Sequence, residues 1–295
     1  MVSSLTIDVE DGINISMRDN FRIEMKPTCR VVDNVDIILE ICERNNVKAT
    51  FFILGEVAEI FPDLVKRIDS NGHEIGIHGY HHDQLFRLTP KMFRNELIRA
   101  KGIIESLAGQ KIMGFRAPAF SIMQQTSWAL PIIAESGFKY DSSIFPAEGG
   151  KYGWKGFNKH IIRLELPNGT PLIEVPLSVV NVLGRNIPTC GGGYFRYLPY
   201  FFTRQAFKAI QKERPVIVYL HPYELDTLKY PEYFYKARAS VSLRKGLPLM
   251  LYRLGKNTVK GKLEALLKEF KFLKLIEIIE NLDSNGKIPS IEMRR

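Results

Sequence analysis

His78 and His82 stand four residues apart in the run His78-Gly79-Tyr80-His81-His82. In a helical turn this spacing places both rings on one face with Cβ atoms about 6 Å apart, a separation that suits a shared divalent metal. A carboxylate from another strand would complete a facial set. The segment Asp8-Val9-Glu10-Asp11-Gly12 offers three, directly after the strand-like run Leu5-Thr6-Ile7. Histidine runs are often plain solvated surface, and acidic clusters often cap helices. What favours chemistry is placement. Asp8 closes an apolar run, Arg116 closes Ile112–Arg116, and His221 follows Val216-Ile217-Val218-Tyr219-Leu220. A lone histidine such as His221 is more often a satisfied core residue, but a strand end tilts it toward function. His73 begins a strand after the Asn71-Gly72 helix stop, and His160 sits in a Lys-rich loop, so both read as structural. His81 points elsewhere on the turn from His78 and His82 and is not taken as a ligand.

The elements that must position these residues follow from periodicity. Strand-like runs are Ser4–Val9, Ala49–Leu54, Glu74–His78, Ile112–Arg116, Leu172–Pro176 and Val216–His221. Helical patterns cover Asp33–Asn45, Glu56–Asn71, Pro90–Ala108, Gln124–Ser136 and Thr203–Lys212. Alternation of this kind predicts an α/β fold with parallel strands and helices packed outside them. An open sheet and a barrel both fit. In either, active sites gather at the C-terminal ends of the strands, where the acids, histidines and arginine fall. Residues 147–202 break the alternation. Rich in Gly, Pro and aromatics, and containing Gly191-Gly192-Gly193, they read as an insertion near the mouth of the site. The expected organisation is a catalytic domain over 1–226 and a basic helical extension over 227–295, with helices at Lys260–Glu269 and Leu273–Asn281.

The chain has 295 residues, 45% of them hydrophobic and 25% charged, a globular balance. Its three cysteines, Cys29, Cys42 and Cys190, form no C-x-x-C pair, which argues against a disulfide framework or a cysteine zinc site. No signal peptide and no long apolar run is visible, so a cytoplasmic location is expected if Met1 is the true start. Net charge is +9, and Tyr233–Leu275 carries eleven Lys/Arg against Glu264 and Glu269. That excess is either a solvated basic face or a peripheral contact with anionic membrane. No nucleic-acid-binding motif accompanies it, so no nucleic-acid partner is expected.

Taken in order, Thr6-Ile7-Asp8-x-x-Asp11-Gly12, His78-x-x-x-His82, Arg116-x-Pro118, Asp141-Ser142-Ser143 and Leu220-His221 resemble the motifs of the polysaccharide deacetylase family, carbohydrate esterase family four with the NodB-homology domain. The resemblance covers roughly residues 4–225. Ala49-Thr50-Phe51-Phe52-Ile53-Leu54 is similar to the family's second strand, and His221-Pro222-Tyr223-Glu224-Leu225-Asp226 with the basic tail resembles the subgroup tied to exosortase-type exopolysaccharide systems. The resemblance implies a deformed (β/α) barrel and one divalent metal, zinc first, with cobalt, nickel or manganese also accepted. His78 and His82 would be metal ligands, Asp8 the general base, Arg116 the residue holding that base, His221 the general acid and Asp141 the acid orienting it. Ala119 would bind substrate through its backbone N–H, and Leu220 would line the acetyl-methyl pocket. The family's metal-binding aspartate directly follows its base, but here Val9 does. Asp11 precedes Gly12 as the family's ligand does and is the implied ligand, with Glu10 as the alternative.

The implied activity is hydrolysis of N-acetyl groups on a polysaccharide or lipid-linked glycan. Two rivals stand beside it. One is a metal-dependent amidohydrolase acting on a small non-sugar amide. The other is an inactive glycan-binding module, which would not need Asp8, Arg116, Asp141 and His221 together.

Overall fold

The structure is a computed structural model that describes residues 1–148, 152–239 and 254–293. Eleven strands are found among them: β1 Ser3–Val9, β2 Thr50–Ile53, β3 Glu74–Ile77, β4 Gly114–Phe115, β5 Tyr140–Asp141, β6 Ile162–Glu165, β7 Pro171–Glu174, β8 Val179–Val182, β9 Arg185–Pro188, β10 Val216–Leu220 and β11 Ser290–Glu292. Nine form one sheet in the order β10-β1-β2-β3-β4-β5-β7-β6-β11. Every neighbouring pair is parallel except β6 and β7. β8 and β9 form a separate antiparallel hairpin.

The sheet curls into a deformed barrel, and one side chain reports it. Arg116 follows β4, three strands from β1, which in a flat sheet is about 14 Å. Yet its Nη1 donates to Thr6 Oγ1 at 2.7 Å and to Asp8 Oδ1 at 2.8 Å. The strand alternation is correspondingly two-sided. Leu5, Ile7 and Val9 face outward into the layer shared with the helices, while Thr6 and Asp8 face the interior. Phe51 and Phe52 divide in the same way between the outer and inner clusters. The gap between β10 and the β7 side is bridged rather than paired. Ile217 N–H donates to Ser178 Oγ at 2.8 Å, and Arg214 Nη2 donates to the Val179 carbonyl at 2.7 Å.

The expected fold class and the six strand-like runs are present; β1 starts one residue earlier than expected, β7 begins at Pro171 and ends at Glu174, and the other four runs are shorter. The helical pattern Glu56–Asn71 is two helices, Gly55–Ile60 and Pro62–Ser70, because Pro62 cannot donate to the preceding turn. Residues 147–202 are less of an insertion than their composition suggests, since β6, β7, β8 and β9 all lie there. The triple glycine has a packing reason. A Cβ on Gly191 would fall 2.2 Å from the Tyr219 ring and 2.4 Å from the Tyr219 carbonyl oxygen, because Gly191 bridges to β10 at that residue.

The C-terminal segment is helical as expected, at Lys256–Glu269 and Leu275–Ser284, but it is built into the barrel. Leu275 N–H donates to Thr50 Oγ1 and Ile276 N–H to Glu74 Oε2, so the last helix begins against the N-terminal ends of β2 and β3. β11 then extends the sheet beside β6. Two cations of the basic stretch are tied into the fold. Lys256 is buried, and Lys262 Nζ donates to the carbonyls of Phe195, Arg196 and Leu198, closing the end of the helix Gly192–Tyr197. The apolar run Leu247–Tyr252 lies outside the described residues. Among the described residues, no helix is long and apolar enough to cross a membrane.

Candidate metal and catalytic site

The C-terminal ends of β1, β3 and β10 open on one cavity of about 710 Å³, lined among others by Asp8, Glu10, His78, His82, Ala119, Tyr219, His221 and Glu224. β1 reaches it by alternation: Asp8 and Glu10 turn inward, two residues apart, and Val9 turns into the outer core. Glu10 Oε2 lies 2.9 Å from His82 Nε2 and 3.5 Å from His78 Nε2. One ligand atom from each of the three fits within 4.8 Å of the others.

This corrects the implied ligand. Asp11 is the N-cap of the helix Gly12–Phe21, where Oδ1 accepts from Ile13 N–H at 2.9 Å and Oδ2 from Thr28 N–H at 2.6 Å. Both oxygens are occupied by backbone donors outside the cavity. The carboxylate that meets the two histidines is therefore Glu10, whose longer side chain reaches from the next inward position after Asp8.

The histidine pair meets by a different route from the helical turn that its spacing suggested. His78 directly follows β3, Gly79 has φ 82°, and His82 itself adopts left-handed φ 67°. Such a backbone in a non-glycine residue is costly and clusters at functional sites. Gly55 N–H donates to the Gly79 carbonyl and Glu56 N–H to the Tyr80 carbonyl, so a helix start pins the loop. The rings end with centroids 5.6 Å apart. His78 Nδ1 lies 2.9 Å from the Arg116 carbonyl, an acceptor only, so Nδ1 carries a hydrogen and Nε2 is the nitrogen turned toward Glu10. His81 stays outside the set, 42% exposed at its side chain and 3.3 Å from Glu56.

The donor set fits a divalent cation. Two imidazole nitrogens converge with a carboxylate, and among the described residues the buried Glu10 Oε2 has no partner besides those two rings. Burial opposes ionisation of Glu10, but His82, His221 and His78 outweigh it and hold the carboxyl well below its usual range.

Asp8 sits beside this set in a rigid frame. Arg116 is wholly buried and donates from Nε to the Ser142 carbonyl at 2.9 Å, from Nη2 to Ser142 Oγ at 2.9 Å and from Nη1 to Asp8. Its guanidinium carbon lies 4.2 Å from the Phe52 ring centre. A buried carboxylate and guanidinium in this arrangement fix one another's direction. Ala119 lines the cavity in a left-handed conformation, φ 52°, ψ 28°, and Phe120 follows at φ 50°.

His221 faces the pair of acids from β10, with Nε2 3.9 Å from Asp8 Oδ2 and 3.7 Å from Glu10 Oε1. Burial disfavours its cation, but Glu10, Glu224 and Asp8 together override burial and raise it to about 9. Asp141 does not reach it. Asp141 lies on β5, where Oδ1 accepts from Ser143 Oγ and Oδ2 from Ser143 N–H, and Ser143 Oγ in turn accepts from Ala117 N–H at 2.7 Å. It braces the Arg116–Pro118 loop instead. The acid beside His221 is Glu224, with Oε2 3.4 Å from Nδ1. Sequence reasoning missed it, although His221-Pro222-Tyr223-Glu224 carries the signal: a short turn after a strand end brings position four back to position one. Leu220 is likewise misplaced by expectation. It lies in the outer core, because Tyr219 and His221 take the inward positions of β10.

Residues 25–140 match the polysaccharide deacetylase family, and residues 142–280 match a domain of unknown function, DUF3473. A peptidoglycan-N-acetylglucosamine deacetylase of Bacillus cereus is 44% identical over 93 residues, 31% of this chain and 34% of that protein. The chain thus spans about a third of the length of the curated relatives it matches. Among solved structures, a polysaccharide deacetylase of Mycobacterium smegmatis superposes with a TM-score of 0.63 at 20% identity, covering 100% of this chain and 94% of that one. Puue allantoinase gives 0.56 at 16% identity, covering 97% and 91%. At these identities the likeness is one of fold. His78, His82 and Arg116 lie in the first matched segment, His221 and Glu224 in the second, and Asp8 and Glu10 before both.

Proposed function

We propose that this chain, whose residues 25–140 match the polysaccharide deacetylase family, is a metal-dependent hydrolase that removes N-acetyl groups from a glycan. The observation that carries the reading is the meeting, in one open cavity, of a Glu10-His78-His82 cation site with an arginine-held aspartate and a histidine. Binding alone would not need an acid and a base on either side of the ligand set.

A divalent ion held by Glu10, His78 and His82 would supply a Lewis acid and lower the pKa of water in the cavity. Asp8, oriented by Arg116, accepts the proton of the attacking water. Ala119, which lines the cavity, supplies in this reading the backbone N–H for the developing oxyanion. His221 delivers its Nε2 proton to the departing amine, which could not leave as an anion. Tyr219 and Phe120, both lining the cavity, are the apolar surfaces available to the acetyl methyl, the part expected of Leu220.

The substrate in this reading is a polysaccharide or a lipid-linked glycan of the kind handled by exopolysaccharide systems, whose reacting sugar would occupy the cavity of about 710 Å³. Zinc is the first choice of metal for two imidazoles and a carboxylate. A lipid-linked substrate would go with peripheral attachment of residues 233–275 to anionic membrane. Sedimentation with anionic vesicles at low salt and release at high salt is the expected behaviour, and no sedimentation at low salt refutes it.

The test of the activity is acetate release from a panel of N-acetylated oligosaccharides. Release should stop with chelator and return with added zinc or cobalt. No release with any of these metals, or release indifferent to chelator, overturns the reading.

A further inference from the structure

The second matched segment contributes more than a wall to the cavity. Two nitrogens of His221 and the Arg196 guanidinium meet the carboxylate of Glu224, a fully buried side chain in the turn Pro222–Glu224. His221 N–H lies 3.1 Å from Oε2, His221 Nδ1 lies 3.4 Å from the same oxygen, and Arg196 Nε lies 3.0 Å from Oε1. Arg196 is itself buried and comes from the helix Gly192–Tyr197, more than twenty residues earlier in the chain. The Tyr223 ring lies against the imidazole at 4.9 Å and 16°, so its plane is held as well.

We infer that Glu224, held by Arg196, is the positioning residue of the general acid. It accepts the Nδ1 hydrogen of His221 and thereby keeps Nε2 as the nitrogen that faces the reacting amide. The inference rests on the reading of His221 as general acid. The chemistry is that of an orienting carboxylate: when Nε2–H passes its proton to the amine as the C–N bond breaks, the bond's electron pair stays on nitrogen. The ring is left neutral with its hydrogen on Nδ1. Without an acceptor at Nδ1 the neutral ring can take the other tautomer, and the next proton is misplaced. Arg196 neutralises the carboxylate and fixes which oxygen faces the ring. A glutamine at 224 carries no charge for Arg196 and has a single acceptor oxygen, so it cannot serve both Arg196 and His221. This arrangement also assigns a job to Arg196, within the segment that matches only a domain of unknown function.

The experiment uses two substrates on the metal-loaded full chain. N-acetylated chitooligosaccharides leave as amines and need a proton, whereas p-nitrophenyl acetate leaves as a stable phenolate and does not. Glu224→Gln should lower kcat on the oligosaccharide by about tenfold or more, with KM little changed, and spare the nitrophenyl ester. Arg196→Gln should show a weaker effect of the same kind, and Glu224→Asp should restore part of the loss. His221→Ala is the reference. If it loses the amide activity and spares the ester while Glu224→Gln loses neither, the positioning role fails and the acid stands. If His221→Ala keeps the amide activity, the general-acid reading itself fails. Loss of both activities in Glu224→Gln and Arg196→Gln would mark a purely structural pair and overturn the inference. Nitrogen NMR of the His221 ring gives a readout besides turnover. At a pH where the ring is neutral, wild type should carry its hydrogen on Nδ1 and Glu224→Gln should not, and an unchanged tautomer in the variant overturns the assignment.

Discussion

Glu10 Oε2 lies 2.9 Å from His82 Nε2, and the neighbouring Asp11 is turned away to cap a helix. Adjacent carboxylates on one strand end thus have separate work, divided by the pleat. Glu10→Gln should cut metal content strongly, as should His78→Ala. Asp11→Ala should leave the metal bound and instead cost about 0.5–2 kcal/mol of stability through the lost cap. Metal analysis paired with denaturant unfolding checks both. Metal lost in Asp11→Ala but retained in Glu10→Gln would reverse the assignment.

Arg116 and Asp8 form a wholly buried pair at 2.8 Å. Arg116→Met leaves Asp8 without its counter-ion, and breaking a buried pair from one side costs about 3–5 kcal/mol. Arg116→Lys keeps the charge but cannot serve Asp8, Thr6 and both Ser142 atoms together. The lysine variant should therefore remain folded with kcat depressed. A lysine variant with wild-type kcat would remove the orienting role.

Asp141 and Glu174 are cross-strand partners inside the barrel. Burial, then the charge of Asp141, pushes Glu174 well above the usual carboxyl range. A folded pKa above the unfolded one means that the native state holds the extra proton. Stability from this group is complete below about pH 4, the unfolded carboxyl value, and declines as pH rises toward the folded pKa. Glu174→Gln has no such decline. It should equal wild type near pH 4 and exceed it at pH 8 in urea unfolding. A variant less stable than wild type at pH 8 contradicts this.

Gly191 touches β10 where a side chain has no room. Gly191→Ala must push the Tyr219 backbone or ring away and should cost about 1–3 kcal/mol. Because Tyr219 lines the cavity, KM should rise with it. Unchanged thermal midpoint and KM would show that the contact yields freely.

The sequence by itself determined the alternation of strands and helices, hence the fold class, and placed Asp8, His78, Arg116 and His221 at strand ends. Those features are local: a period of two or 3.6, and the residue that ends a run. The same period, applied to β1 and β10, already separates Glu10 from Asp11 and Tyr219 from Leu220, once the inward face is known. Only the tertiary structure decided which face is inward, because that depends on the sheet curling until Arg116 meets Asp8. It also decided that the histidine pair closes through a left-handed loop, that Asp141 braces a loop while Glu224 attends His221, and that the last helix, Leu275–Ser284, begins against the barrel's N-terminal strand ends. Each of these is a contact between segments far apart in the chain, or a backbone conformation imposed by such contacts, and local periodicity carries no information about either.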